Sequence, residues 1–359
     1  MSFMASLDLT ASAAEITRAV CDVPSVSGDE THLADLIEQA LSGCAHLDVL
    51  RIGDTIVART NLGRAQRVAI AGHIDTVPIN ANLPTQKRTE DGEPILWGRG
   101  TVDMKAGLAV QLKLAAELTE PRVDLTWMWY DHEEVSSDLN GLNRLSQSHP
   151  ELFAADFAIL GEPTRGQVEG GCNGTLRAVV RTFGVRAHSA RAWVGENAIH
   201  AAAPILARLA EYRPRTVRVD GLDYREGLNA VRITGGVAGN VIPDLCEVEV
   251  NFRYAPDKSM AQAENVVRSA FEGFEVEITD LAPGARPGLD APLAQEFLAA
   301  IGATPYPKYG WTDVARFSAL GVPAVNYGPG DPLLAHHDEE RVPIAQIVAV
   351  ENGLRAWLT

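Results

Sequence analysis

Val68-Ala69-Ile70-Ala71-Gly72-His73-Ile74-Asp75 begins with four apolar residues and ends on an imidazole and a carboxylate. A short, wholly apolar run reads as a strand buried on both faces, the habit of parallel sheets. The polar residues follow its carboxyl end, where open α/β sheets place their ligands. Working outward, further strands are expected at 55–58, 125–130 and 157–160, with helices at 11–21, 29–41 and 104–118. The last of these reads as amphipathic. Strands alternating with helices imply an α/β domain with a mostly parallel sheet covered on both faces.

The order changes further along. Strand 176–185, helix 197–212, strands 228–237 and 246–254, helix 259–271 and strand 274–279 spell β-α-β-β-α-β, an α+β ferredoxin-like arrangement. Ala282-Pro283-Gly284-Ala285-Arg286-Pro287-Gly288 then reads as a hinge. Alternation resumes with helices at 292–301, 312–320 and 343–358 and a strand at 324–327. The expected organisation is one split domain, 1–175 with 287–359, interrupted by a smaller inserted domain at 176–286.

Composition narrows the function. The 359 residues suit two domains at about 150 residues each. A net charge of −16, from 31 Lys+Arg against 47 Asp+Glu, argues against phosphate-backbone and anionic-membrane partners. No apolar run approaches the roughly 20 residues that span a bilayer, and residues 1–10 carry no signal-peptide pattern. The four cysteines (Cys21, Cys44, Cys172 and Cys246) are dispersed without a CxxC pair, which fits buried thiols in a reducing, cytoplasmic setting.

Five segments place His or carboxylate groups at comparable strand ends. They are His73-Ile74-Asp75, Asp103 after Gly98-Arg99-Gly100-Thr101-Val102, Asp131-His132-Glu133-Glu134, Gly161-Glu162-Pro163 and Ala335-His336-His337-Asp338-Glu339. Parallel topology would gather them on one rim. Imidazole and carboxylate without thiolate suit Zn²⁺ or a similar divalent ion. Two such ions about 3.5–4 Å apart need a bridging carboxylate, two further carboxylates and two imidazoles, an inventory these segments contain. Clustered carboxylates would also repel one another strongly without cations. Gly98-Arg99-Gly100 lacks the third glycine of a dinucleotide fingerprint, and no GxSxG, HExxH or Walker A sequence occurs.

At this point the chain resembles a family. The segments 71–78 (AGHIDTVP), 98–107 (GRGTVDMKAG), Glu133-Glu134, Gly161-Glu162-Pro163-Thr164, Gly184-Val185-Arg186-Ala187-His188-Ser189 and Ala335-His336 are similar, in order, to motifs of the M20 family of dinuclear zinc amidohydrolases. The likeness runs from about Ala13 to Thr359. It implies a zinc-exopeptidase-like catalytic domain with an inserted lid or dimerisation domain. Asp103 would bridge two Zn²⁺ per subunit, with Co²⁺ able to substitute. His73 and Glu162 would hold one ion, and Glu134 and His336 the other, with His337 the competing choice. Glu133 would be the general base, and Asp75 would fix the His73 tautomer. A cis peptide is implied at Asp103–Met104.

His188 would serve the oxyanion from a partner subunit in a homodimer, and Asn240, Arg253, Thr312 and Arg316 would hold the substrate. Within the family the likeness is greatest to the actinobacterial branch that removes succinate from N-succinyl-L,L-2,6-diaminopimelate. The substrate class implied is thus a small dicarboxylate amide on the lysine and diaminopimelate route. Residues 225–229, 240–244, 251–254, 310–317 and 330–332 carry that narrower likeness. Two places depart from it. Cys172-Asn173 stands where many such enzymes have two arginines, and Thr312-Asp313-Val314-Ala315-Arg316 where Thr-Ser-Asp-Gly-Arg is usual. The alternatives are an acetylornithine deacetylase, a carboxypeptidase-like peptidase, or a binding protein without turnover. A non-catalytic member should have lost the base or a ligand, and every such position is filled here.

Overall fold

The computed structural model describes residues 6–359, so the first five positions of the stretch 1–10 lie outside the described residues. Two compact units divide the chain. The first comprises Met1–Gly170, Gly288–Tyr306 and Arg316–Thr359, and the second Gly171–Pro287 with Pro307–Ala315.

The first unit is built on an eight-stranded sheet. At its centre Asp124–Tyr130, Arg67–His73, Phe157–Leu160 and Ala324–Asn326 run parallel to one another in that order. Thr55–Arg59 and Asp48–Ile52 extend one side antiparallel. Residues 68–73, 124–130 and 157–160 are buried throughout, because helices cover both faces. The register pairs His73 with Tyr130 and Ala71 with Leu160, so three of the strands that carry candidate residues end together.

Local signals explain the helices. Ala13–Cys21 starts from a capping box in which Ser12 accepts from the Glu15 backbone and Glu15 reaches back to Ser12. The helix expected at 104–118 forms as Lys105–Glu117, but it is not amphipathic. Ten of its residues, Lys105 to Leu112, Leu114 and Ala115, are buried. A helix covered on all sides is apolar all round, and even the Lys105 ammonium is spent on the carbonyls of Val20 and Val23, each at 3.0 Å. Gly107 permits that depth, since a Cβ there would lie 2.1 Å from the carbonyl oxygen of Gly161. An unforeseen hairpin, Gln86–Glu90 with Glu93–Trp97, forms a separate three-stranded sheet with Arg341–Pro343.

The second unit has the anticipated β-α-β-β-α-β order. Its antiparallel sheet runs Gly227–Gly235, Leu245–Tyr254, Gly174–Phe183, Glu275–Ala282. Along Leu245–Tyr254 burial alternates, sending Cys246, Val248, Val250, Phe252 and Tyr254 into the core beneath Ile205, Ala263 and Val267. The opposite face stays open to solvent. The single helix expected at 197–212 forms as two, Ala198–Ala201 and Ala203–Glu211, with Pro204 in the first turn of the second.

Candidate metal centre

His73 is the last residue of its strand and is buried. Its Nδ1 lies 3.0 Å from the carbonyl oxygen of Asp75, and its Nε2 lies 3.2 Å from Oδ1 of Asp103. A carbonyl only accepts, so Nδ1 carries a hydrogen, and in the neutral ring Nε2 keeps its lone pair toward Asp103. The Asp75 carboxylate stands farther from the ring, at 3.5 Å. It has other work: Oδ1 accepts from the Glu133 backbone at 3.0 Å, and Oδ2 from the Glu134 backbone at 3.1 Å and the Ser27 hydroxyl at 2.6 Å. Asp75 thus ties the loop after Asp124–Tyr130 to the loop after Arg67–His73.

Asp103 stands two residues before the buried helix, and the Asp103–Met104 peptide is cis, as the resemblance implies. His336, at φ +65°, brings Nε2 to 3.0 Å from Glu134 and 3.4 Å from Oδ2 of Asp103. The neighbouring His337 turns elsewhere, accepting at Nδ1 from the Glu339 backbone at 3.1 Å. Donor atoms of His73, Asp103 and Glu162 lie within 4.8 Å of one another, as do those of Asp103, Glu134 and His336 and those of His73, Glu133 and Glu134. Asp103 belongs to two of these groups, with one oxygen turned toward each histidine.

The electrostatics follow from crowding. Burial opposes ionisation of Asp103, but hydrogen bonds from His336 and His73 outweigh it and hold the carboxyl well below its ordinary range. Burial likewise disfavours a charged His73, yet Asp103 and Asp75 raise its pKa well above the usual imidazole value. Hydrogen bonds to Asp103 and Glu134 push His336 up to about 10. Five donors drawn from carboxylate and imidazole, with one carboxylate shared between two groups, fit a pair of divalent cations.

The remaining candidates are distributed between the units. Arg316 lies in the first, 3.0 Å from the Ser137 hydroxyl. His188, Asn240, Arg253 and Thr312 lie in the second. There His188 accepts at Nδ1 from the Ala190 backbone at 3.0 Å, and the Asn240 carbonyl accepts from Ser189 at 2.9 Å. Arg253 is half-buried and donates from Nε to Asn251 at 3.1 Å. Two neighbours of the centre escaped sequence reasoning. Arg99 and Glu340 are both buried, but Glu340 ends an acidic run that looks like solvated surface, and its spacing four residues after His336 was the one available signal.

Residues 69–359 match Peptidase family M20/M25/M40. A Mycobacterium tuberculosis (strain ATCC 25618 / H37Rv) protein, provisionally named succinyl-diaminopimelate desuccinylase DapE, is 52% identical over 98% of this chain and 99% of its own. The Corynebacterium glutamicum (strain ATCC 13032) succinyl-diaminopimelate desuccinylase is 48% identical over 98% of each. Among solved structures, aminopeptidase PepT from Bacillus cereus ATCC 10987 superimposes with a TM-score of 0.78 at 17% identity, covering 98% of both chains. Bacillus subtilis YXEP, described as a dinuclear metal-binding peptidase of family M20, superimposes at 0.68 with 15% identity over 96% of both.

Proposed function

The chain belongs to Peptidase family M20/M25/M40, and on that footing we propose that it hydrolyses the succinyl amide of N-succinyl-L,L-2,6-diaminopimelate to succinate and L,L-diaminopimelate. The observation that carries the mechanism is Asp103, shared between the His73–Glu162 group and the Glu134–His336 group. Two divalent cations, zinc in our reading with cobalt able to replace it, would be held by those five residues. Once bound they supply Lewis acidity, which acidifies water and polarises the amide carbonyl.

The chain's own residues do the rest. Glu133 takes the proton of the attacking water and returns it to the leaving amine nitrogen. Supporting this reading, a Glu133 carboxylate oxygen lies within 4.8 Å of donor atoms of His73 and Glu134, and Asp75 accepts from the Glu133 and Glu134 backbones. Nδ1–H of His73 is fixed on the Asp75 carbonyl, which turns Nε2 toward Asp103 as the nitrogen that would face a cation. Arg253, Arg316, Asn240 and Thr312 would recognise the substrate's carboxylates, a task for which guanidinium groups are suited.

The second unit would serve as lid and dimerisation domain, with His188 delivered to the oxyanion of the partner's site. The strand Gly227–Gly235 supports this, since it is the sheet's edge and exposes Val231 and Ile233. No described helix is long and apolar enough to cross a membrane, and we place the protein in the cytoplasm.

The decisive assay offers N-succinyl-L,L-diaminopimelate and N-acetylornithine in parallel to zinc-loaded protein. Selective, chelator-sensitive release of succinate supports the proposal. Cleavage of acetylornithine alone would move the protein to the deacetylases, and failure on both with two cations bound would overturn it.

A further inference from the structure

We propose that Glu340, with Arg99 as its counter-charge, is a positioning residue that fastens the loop carrying Asp103 to the loop carrying His336. The inference rests on the dinuclear reading above. Glu340 is fully buried and Arg99 is nearly so. One carboxylate oxygen, Oε1, accepts from the backbone N–H of Val102 at 2.8 Å and of Asp103 at 3.0 Å. The other, Oε2, lies 2.8 Å from Nη1 of Arg99. The same guanidinium nitrogen reaches the His337 carbonyl at 3.3 Å, and the Glu340 carbonyl accepts from the Gly98 backbone at 2.9 Å. The Glu340 backbone N–H closes the turn on the His337 carbonyl at 3.2 Å.

These bonds matter because neither loop has regular structure of its own at the metal set. Asp103 precedes its helix and follows Gly98 and Gly100, both at positive φ. His336 is itself left-handed. An Asp shared between two donor groups, with one oxygen toward each histidine, needs its backbone held, and Glu340 holds that backbone directly. A carboxylate buried this deeply is costly unless fully bonded, and all of its bonds given above run to these two loops and Arg99. Residues that orient ligands from behind commonly change cation affinity by about 10–100-fold when lost.

The test uses the full chain, titrated with Zn²⁺ by calorimetry and with Co²⁺ followed by its visible absorption. Glu340→Gln keeps the shape and the acceptor but removes the charge opposite Arg99. Glu340→Asp keeps the charge but withdraws the oxygen from Val102 and Asp103 by one methylene. Either variant, folded by circular dichroism, is expected to bind cation about 10–100-fold more weakly. Its Co²⁺ spectrum should be altered, and kcat should fall at unchanged KM. Wild-type cation affinity, Co²⁺ spectrum and kcat in either folded variant would overturn the positioning role. Absence of cation uptake by the unaltered chain would overturn the reading it rests on, and the positioning role with it.

Discussion

The candidate metal centre of the first unit and the open sheet face of the second use charge in opposite ways. In the first, His73, Asp75, Asp103, Glu162 and Glu340 are largely or wholly buried, and their partners include one another, Arg99, Ser27, His336 and the backbone of adjoining loops. In the second, the solvent face of the antiparallel sheet carries Arg181 between Glu247, Glu275 and Glu277, at 2.8, 3.1 and 2.6 Å. Water and salt screen that ladder, so it contributes little. Buried from water, the same residue types lock a geometry, because an unmet polar group there is expensive. The contrast separates a centre built into the fold from a surface that tolerates change.

The severest way to break the contrast is Asp103→Ala, which removes the carboxylate common to two donor groups. Cation content by atomic absorption should fall for both ions and activity should drop to the chelated baseline; retention of two ions would refute the bridging role. Glu133→Ala is expected to lower kcat by about 10²–10⁴ while cation content stays near normal, as fits removal of a general base. Substantial surviving turnover would reassign the base. Gly107→Ala tests the packing beneath the centre. A Cβ 2.1 Å from the Gly161 carbonyl has no flexible neighbour to displace, so a loss of about 3 kcal/mol or more is expected in denaturant unfolding.

Proton linkage gives a gentler test. In the cation-free protein the His336 pKa is raised to about 10 by Asp103 and Glu134. A raised imidazole contributes stability that is full below its unfolded value of about 6.5 and is lost as pH climbs through the folded value. The cation-free protein should therefore lose stability from pH 7 toward pH 10. Zn²⁺ binding, which needs neutral imidazole, should release protons and tighten as pH rises. Calorimetry in buffers of differing ionisation enthalpy measures the release, and none at pH 7 would count against His336 as a ligand. The smallest effect is expected in the second unit. Arg181→Ala should leave melting temperature and kcat at wild-type values, and a marked change in either would mean the open sheet face is not mere surface.

Much of this was legible from the chain. Apolar runs at 68–71, 125–130 and 157–160 predicted the parallel core, and the positions of His73, Asp103, Glu134, Glu162 and His336 predicted the gathering of donors. What escaped was anything that depends on neighbours distant in sequence. The stretch 104–118 reads as an amphipathic helix, yet its polar Lys105 and Gln111 are both buried. The Lys105 ammonium has carbonyl partners at Val20 and Val23, far away in the chain. Asp75 was expected to hydrogen-bond His73; its backbone carbonyl is the nearer partner of the ring, and its carboxylate also binds the Glu133 and Glu134 backbones, which no local pattern announces.

The sequence by itself indicated a mostly parallel sheet covered on both faces, because uninterrupted apolar runs are buried on both sides; it did not show that the equally buried run at 55–58 pairs antiparallel. It also determined which residue types stand at the strand ends. Only the tertiary structure showed where the two rings go, His336 Nε2 toward Glu134 and Asp103 and His337 Nδ1 toward the Glu339 backbone. Adjacent side chains leave the backbone in different directions, and the left-handed turn at His336 sends one of them toward Asp103. Only the tertiary structure separated Glu340 from the exposed Asp338 and Glu339 beside it. Burial belongs to a place in the fold, and here that place is made by Arg99 and by two backbone N–H groups more than two hundred residues earlier in the chain.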